Sequence, residues 1–223
     1  MGRFKQFLLN EAQDRIFYHG SASEFDKFDM NKVGSGDGLN KYGYGIYFAD
    51  NEDLARFYAN ELSLGGKPKY IYQVRLYRLD DFLPWDEQIP EYLYIKIANK
   101  LDKLGHDNMA QTMREELESY QETYTMDQMY DLLRDTIGED KKVTEFLNVL
   151  GVEGVIADDI QGRGKIYVAF SSDVINIQDT LEENTVGTAG LRLTENSFMD
   201  NPWERQTQQW KRGPAVGSIS ANL

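Results

Sequence analysis

The chain contains no cysteine, and that one absence removes disulfides, thiolate metal centres and cysteine nucleophiles together. Histidine is nearly as scarce. His19 and His106 are the only two in 223 residues, too few to build a histidine-rich metal centre, so no metal is expected. No run reaches the roughly 18 consecutive apolar residues of a membrane span. The apolar piece Phe7-Leu8-Leu9 is much shorter than the core of a secretory signal, about 7 to 15 residues. These two absences argue for a soluble chain working in a cytoplasm. Basic charge is also short: 24 Lys and Arg stand against 37 Asp and Glu, a net charge of -13. Such a surface repels phosphate backbones, so nucleic acid is not the expected partner. Acidity by itself reads as a solvated surface and names no target.

What is present suffices for one large domain with appendages, since 41% of residues are hydrophobic and 13% aromatic. Residues 1–11 read as a separable amphipathic leader with Phe4, Phe7 and Leu8 at helical spacing. Ile16-Phe17-Tyr18 reads as a short strand running into His19-Gly20-Ser21. A glycine-rich loop follows, then the apolar stretch Ile46-Tyr47-Phe48, with Asp50 placed to cap a helix over Glu52 to Leu62. Tyr70, Tyr72, Val74 and Leu76 alternate as a half-buried strand requires. From about 86 to 150 the period becomes helical: Met109, Met113 and Leu117 form one stripe, Met129, Leu132 and Leu133 a second. Val143, Phe146, Leu147 and Leu150 form a third, stopped at Gly151. Strands return at Gly154-Val155-Ile156, Ile166 to Phe170 and Val174 to Ile177, and a polar tail occupies 181–223. Strands, then grouped helices, then strands make an α+β architecture; a doubly wound sheet would alternate them. Gly34-Ser35-Gly36-Asp37-Gly38 lacks the Gly-Lys-Ser/Thr of a phosphate loop, and His106 sits at a turn before a helix, a structural position.

The residues that can carry chemistry lie at strand ends. A histidine followed by glycine can bond a ribose hydroxyl while the glycine backbone comes close to a carboxamide. A tyrosine leaving a glycine-rich bend can lay its ring on a flat heterocycle. Tyr18-His19-Gly20-Ser21, followed by Gly43-Tyr44-Gly45-Ile46-Tyr47-Phe48-Ala49-Asp50 and a helix with Ala55 and Tyr58-Ala59, resembles the histidine-and-tyrosine class of ADP-ribosyltransferases. That class contains diphtheria toxin and the poly(ADP-ribose) polymerases, and the likeness is strongest to compact phage-encoded members. It covers about Ile16 to Ile177 and implies two crossed antiparallel sheets with NAD in the cleft, here with a helical insertion at 86–150 and a domain over 12–180. By the resemblance, His19 binds the adenosine-side ribose, Gly20 holds the nicotinamide amide, Ser21 assists at the ribose, and Tyr47 stacks on nicotinamide, with Tyr58 also in the NAD site.

Opening the nicotinamide–ribose bond passes through an oxocarbenium-like state that a nearby anion favours, and no metal or covalent nucleophile is needed. The glutamate that the class usually places before a late strand is replaced by Ile166. Members with isoleucine there resemble mono-ADP-ribosyltransferases. The upstream loop Ala157-Asp158-Asp159-Ile160-Gln161-Gly162 resembles that of a small phage-encoded anti-CRISPR transferase, in which an aspartate aligns with Asp159. Asp159 is therefore the first candidate for a compensating carboxylate, Asp158 the second, and Gln161 a neutral dipole; an ordinary polar turn is the plain reading of the same residues. The expected activity is mono-ADP-ribosyl transfer from NAD to a macromolecule, a protein, in a phage host. A non-catalytic NAD pocket or structural module and an NAD glycohydrolase are the alternatives, and an RNA 2′-phosphotransferase is disfavoured by the charge. Met1 to Ala12 also resembles the head-targeting peptides of T-even-type phages, with Leu9-Asn10-Glu11 as a cleavage site, which implies packaging in a virion and injection.

Overall fold

A computed structural model of the chain describes residues 15–33, 41–62, 69–120 and 123–183, all within the unit Met1–Thr185. The leader at 1–11, the glycines at 34, 36 and 38, and the tail beyond Glu183 lie outside the described residues. Seven strands form one sheet: β1 (Phe17–Ser21), β2 (Ile46–Ala49), β3 (Lys69–Leu76), β4 (Phe82–Pro84), β5 (Gly154–Asp158), β6 (Lys165–Ala169) and β7 (Ile175–Glu183). Their order is β4-β5-β6-β2-β1-β3-β7. Five α-helices are described: α1 (Glu52–Leu62) after β2, then α2 (Glu91–Lys103), α3 (Asp107–Tyr120), α4 (Met126–Ile137) and α5 (Asp140–Val149) between β4 and β5. The α+β class follows.

The alternation of side chains along the strands sorts them onto two faces. Phe17, Ile46, Phe48, Tyr72, Val74, Tyr167 and Ala169 bury one face together with Phe28. Ala49, Ile71, Val155, Ala157, Ile166 and Val168 bury the other beneath the helices. Two differences from the sequence reading concern strands. β4 is three residues ending in proline, too short to give a periodic signal, and it pairs with β5 in parallel rather than antiparallel fashion. The four helices between them supply the long crossover that a parallel pair needs. β7 runs to Glu183, past the expected end near Ile177, because β3 offers it a ladder partner along its whole length, with a bulge between Gln73 and Val74.

The helical segment expected at 86–150 is there as α2–α5, with Leu93, Ile97 and Leu101 of α2, Met113 of α3, Met129 and Leu133 of α4 and Leu147 of α5 buried. Thr125 and Gln128 close a capping box at the start of α4, and Gly151 follows α5 with φ 92°, a left-handed stop. These helices also hold the turn that leads into β2. Tyr130 Oη of α4 accepts from the Tyr44 N–H at 3.0 Å, and Thr144 Oγ1 of α5 donates to the Tyr44 carbonyl at 2.7 Å. Tyr42 and Tyr130 both pack against Trp85, at 5.8 and 5.5 Å between ring centroids.

The cap of α1 also differs. Asn51 Oδ1 accepts from Leu54 N–H at 2.9 Å and caps the helix, whereas Asp50, one residue too early, accepts from Lys165 N–H at 3.0 Å in β6. α1 rests directly on β1: a Cβ at Gly20 would lie 2.4 Å from the Ala55 carbonyl oxygen and 2.7 Å from the Ala59 Cβ. No helix among the described residues is long and apolar enough to cross a membrane. Gly20→Ala is expected to lower stability by about 1–3 kcal/mol through this overpacking. Thermal unfolding checks it, and an unchanged Tm would mean that α1 can lift away without cost.

Candidate active site

The ladder between β1 and β2 is incomplete. On one side β1 pairs with β3 from Phe17↔Val74 to Ser21↔Tyr70, but on the other it meets β2 only at Tyr18↔Ala49. β2 is meanwhile paired with β6 along its full length, from Ile46↔Ala169 to Ala49↔Ile166. The sheet therefore opens past Tyr18. His19, Gly20 and Ser21 have no ladder partner toward β2, which leaves a strand edge with backbone donors and acceptors inside the sheet.

His19 spans the opening. Its Nδ1–H donates to the Tyr47 carbonyl at 2.8 Å. That bond fixes the tautomer, so in the neutral ring Nε2 is an acceptor. Phe28 stands edge-on at 5.1 Å, with Phe48 at 5.7 Å and Phe25 and Tyr72 at 6.2 Å. Burial among these rings pushes the imidazole pKa down, and the bond to Tyr47 offsets this only in part. A neutral, oriented imidazole can meet a hydroxyl without a buried charge. Sequence reasoning missed this aromatic cage; Phe25 and Phe28 lie in a loop with no strand or helix period to mark them.

Tyr47 is fixed through its hydroxyl, which donates to the Gly43 carbonyl at 2.8 Å and accepts from Tyr42 N–H at 2.9 Å. Burial raises that phenol far above its ordinary pKa, so it stays neutral, and the ring packs against the buried cluster beneath the helices. Tyr58 of α1 is fixed in the same way, by donating to Asp159 Oδ1 at 3.0 Å. Ser21 serves its own turn, bonding the Ser23 carbonyl at 2.9 Å and the Ser23 N–H at 3.0 Å.

Ile166 is buried between Ala49 on β2 and Ala157 on β5, on the face that also carries Tyr47. Its surroundings across both ladders are apolar. Asp159 continues the β5–β6 pairing through its N–H to the Gly164 carbonyl at 2.8 Å. It therefore sits one diagonal step from Ile166, on the same face. Its side chain is fully enclosed. Oδ1 accepts from Tyr58 and from Arg163 Nη2 at 3.0 Å; Oδ2 accepts from Arg163 Nε at 2.8 Å and from the Gln161 and Arg163 N–H groups at 3.1 and 3.3 Å. Burial alone pushes the carboxyl up, but the bonds from Arg163 and Tyr58 outweigh it and hold the pKa at about 2. Asp158 points to the opposite face, exposed, with Lys165 Nζ at 2.9 Å. The Gln161 side chain is exposed. Of the acidic pair, only Asp159 shares a face with Ile166 and Tyr47.

A family model described as ADP-ribosyltransferase in polyvalent proteins matches residues 11–180. The chain belongs to this ADP-ribosyltransferase family. Comparisons with curated proteins and with solved structures return no match. The matched span brackets α2–α5. NAD is the substrate of such enzymes and a macromolecule the acceptor. The parting between β1 and β2 carries a strand edge without ladder partners and the oriented imidazole of His19. Among the described residues no group of three or more His, Asp or Glu could hold a metal ion.

The depressed pKa of Asp159 has a consequence for stability. A carboxyl held at about 2 in the folded ADP-ribosyltransferase domain, against 3.8 ordinarily, stabilises the fold in full above pH 4 and loses that contribution as pH falls toward 2. Asp159→Asn is expected to cost about 1–3 kcal/mol at pH 7, the worth of hydrogen bonds to a charged group, and to cost less as pH approaches 2. Urea unfolding between pH 7 and pH 2.5 measures the gap, and a gap that stays constant across that range contradicts the assignment.

Proposed function

We propose that this domain is a mono-ADP-ribosyltransferase that breaks the bond between nicotinamide and ribose in NAD and passes ADP-ribose to a macromolecular acceptor, a protein of a phage host. The observation that carries this reading is the opening between β1 and β2, spanned by His19 and bordered by β2 with Tyr47. NAD supplies the reactive glycosidic bond; its electron pair leaves with nicotinamide, the acceptor's nucleophile bonds to the sugar carbon and then loses its proton. The chain's part is to bind and orient. His19 Nε2 accepts from a ribose hydroxyl, the Gly20 backbone meets the carboxamide, and the rings of Tyr47 and Tyr58 take the nicotinamide, with Ser21 at the rim. Ile166 in place of a glutamate supports transfer of a single unit, since no anion stands there to activate a further ADP-ribose hydroxyl for chain growth. Asp159, the carboxylate on that face, supplies the field that favours the developing cation. Asp158, on the other face and paired with Lys165, and the exposed Gln161 are the weaker candidates for that part.

An inert NAD pocket is the second reading, favoured by one observation: Arg163 matches the charge of Asp159. Hydrolysis of NAD by water is the third outcome. The leader's likeness to head-targeting peptides supports delivery with the phage genome into the host cytoplasm. Incubation with NAD labelled on the ADP-ribose and a host lysate separates the possibilities: a discrete labelled band supports transfer, free ADP-ribose supports hydrolysis, and intact NAD supports the inert pocket. Within the transferase reading, His19→Ala and Tyr47→Ala are expected to raise the KM for NAD by about tenfold or more, the loss of one oriented polar or stacking contact. Asp159→Asn is expected to lower kcat by about 100- to 1000-fold. A wild-type kcat in Asp159→Asn would remove that carboxylate from the chemistry.

A further inference from the structure

The hairpin between β5 and β6 grips α1 at two successive residues. Tyr58 Oη bonds Asp159 at the start of the hairpin loop, and the Arg163 guanidinium near its end lies 3.7 Å from the centre of the Phe57 ring. The same guanidinium is bidentate on Asp159, with Nε and Nη2 on different oxygens at 2.8 and 3.0 Å. Arg163 thus joins both contacts: one flat face stacks on the helix and one edge closes on the carboxylate. A planar, delocalised cation can do both at once, and an ammonium cannot. The loop is short and drawn tight, with Gly162 N–H on the Asp159 carbonyl at 2.8 Å and Asn51 Nδ2 on the Arg163 carbonyl at 3.1 Å. Asn51 is also the cap of α1, so the loop, the cap and the helix are one bonded unit.

Phe57 lies outside the set of residues to which the proposed reaction gives a role, and so does Arg163. The Arg163 side chain is still mostly enclosed, 26% exposed, in a chain with an excess of acidic residues. A lysine or arginine retained only for solubility would extend into water. We propose that Arg163 and Phe57 form a clamp that holds the Tyr58 ring and the Asp159 carboxylate at a fixed spacing, and that they are positioning residues for NAD binding, acting through Tyr58. The proposal rests on the reading of this opening as an NAD site. The clamp accounts for two features together: why a tyrosine on a helix rather than on the sheet can serve as a rigid wall, and why a surface hairpin carries a fully enclosed carboxylate.

The test is a double-substitution cycle on the full chain. NAD affinity is measured by calorimetry, and KM, kcat and Tm are measured in parallel, for Arg163→Gln, Phe57→Leu, the pair together, Arg163→Lys and Phe57→Tyr. Arg114→Gln, in the helical layer on α3, is the charge-matched control. Each of the first two is expected to weaken NAD binding by about three- to tenfold, with the pair no weaker than the worse single variant, because each breaks the same clamp. Phe57→Tyr, which keeps the ring face, restores binding; Arg163→Lys, which keeps the charge and loses the plane, does not. Multiplicative losses overturn the proposal, as does a lowered Tm with unchanged NAD affinity, which would make the contacts merely structural. A raised kcat in Arg163→Gln with a silent Phe57→Leu also overturns it and makes Arg163 a shield on the Asp159 charge. If wild type binds NAD and every variant binds equally, the clamp alone fails. If wild type binds no NAD, the site reading fails and the clamp's role in binding fails with it.

Discussion

The hydrogen bond from His19 Nδ1 to the Tyr47 carbonyl is the interaction on which the rest of the site depends. It crosses the parting between β1 and β2 in the middle of the seven-stranded sheet, and it does so side chain to backbone, so the opening is bridged without being closed. A backbone ladder between the same residues would fill the opening and satisfy the edge. The bond also fixes which imidazole nitrogen carries the proton in the neutral ring, while burial among the surrounding rings lowers the imidazole pKa against the bond's own pull. Orientation thus comes from the contact and protonation state from the packing around it.

Tyr47 and Tyr58 are each held by their hydroxyls. Tyr47 is tied to the turn at Tyr42 and Gly43, that turn is tied through Tyr44 to Tyr130 and Thr144 in the helical layer, and Tyr58 is tied to Asp159. Each phenol bonds at its tip, which fixes the plane and position of its ring. The four helices between β4 and β5 are thus bonded to the strands as well as packed on them. They buttress the turn that aims Tyr47, and Tyr42 links that turn back to the hairpin by donating to the Asp158 carbonyl at 2.9 Å.

The parts of this arrangement that were legible in the sequence are those with a local signature. Alternation at Tyr70 to Leu76 marked β3, the stripes at Met109, Met129 and Val143 marked three helices, and His19-Gly20 with Gly45-Ile46-Tyr47 marked the family. Contacts that link distant segments left no such trace. Nothing local says that Phe28 will cage His19, or that Arg163 will stack on Phe57 from 106 positions away in the chain. Asp50 and Asn51 were equally good caps by residue type, and only the pairing of β2 with β6 draws Asp50 away. β4 was invisible because three residues ending in proline carry no period, and the length of β7 depended on β3 rather than on its own polar sequence. Asp159 was singled out as a carboxylate near Ile166; that it would be wholly enclosed by its own loop depended on Arg163 turning back over it.

The central claim is that the parting between β1 and β2 is where NAD sits. Amide hydrogen exchange with and without saturating NAD, resolved to single residues, tests it most directly. The account expects protection to rise at Gly20, Ser21 and the turn at 42–45, with the amides of α2 and α3 unchanged. Protection confined to the helical layer, or no change at Gly20 and Ser21 while NAD is demonstrably bound, would contradict it.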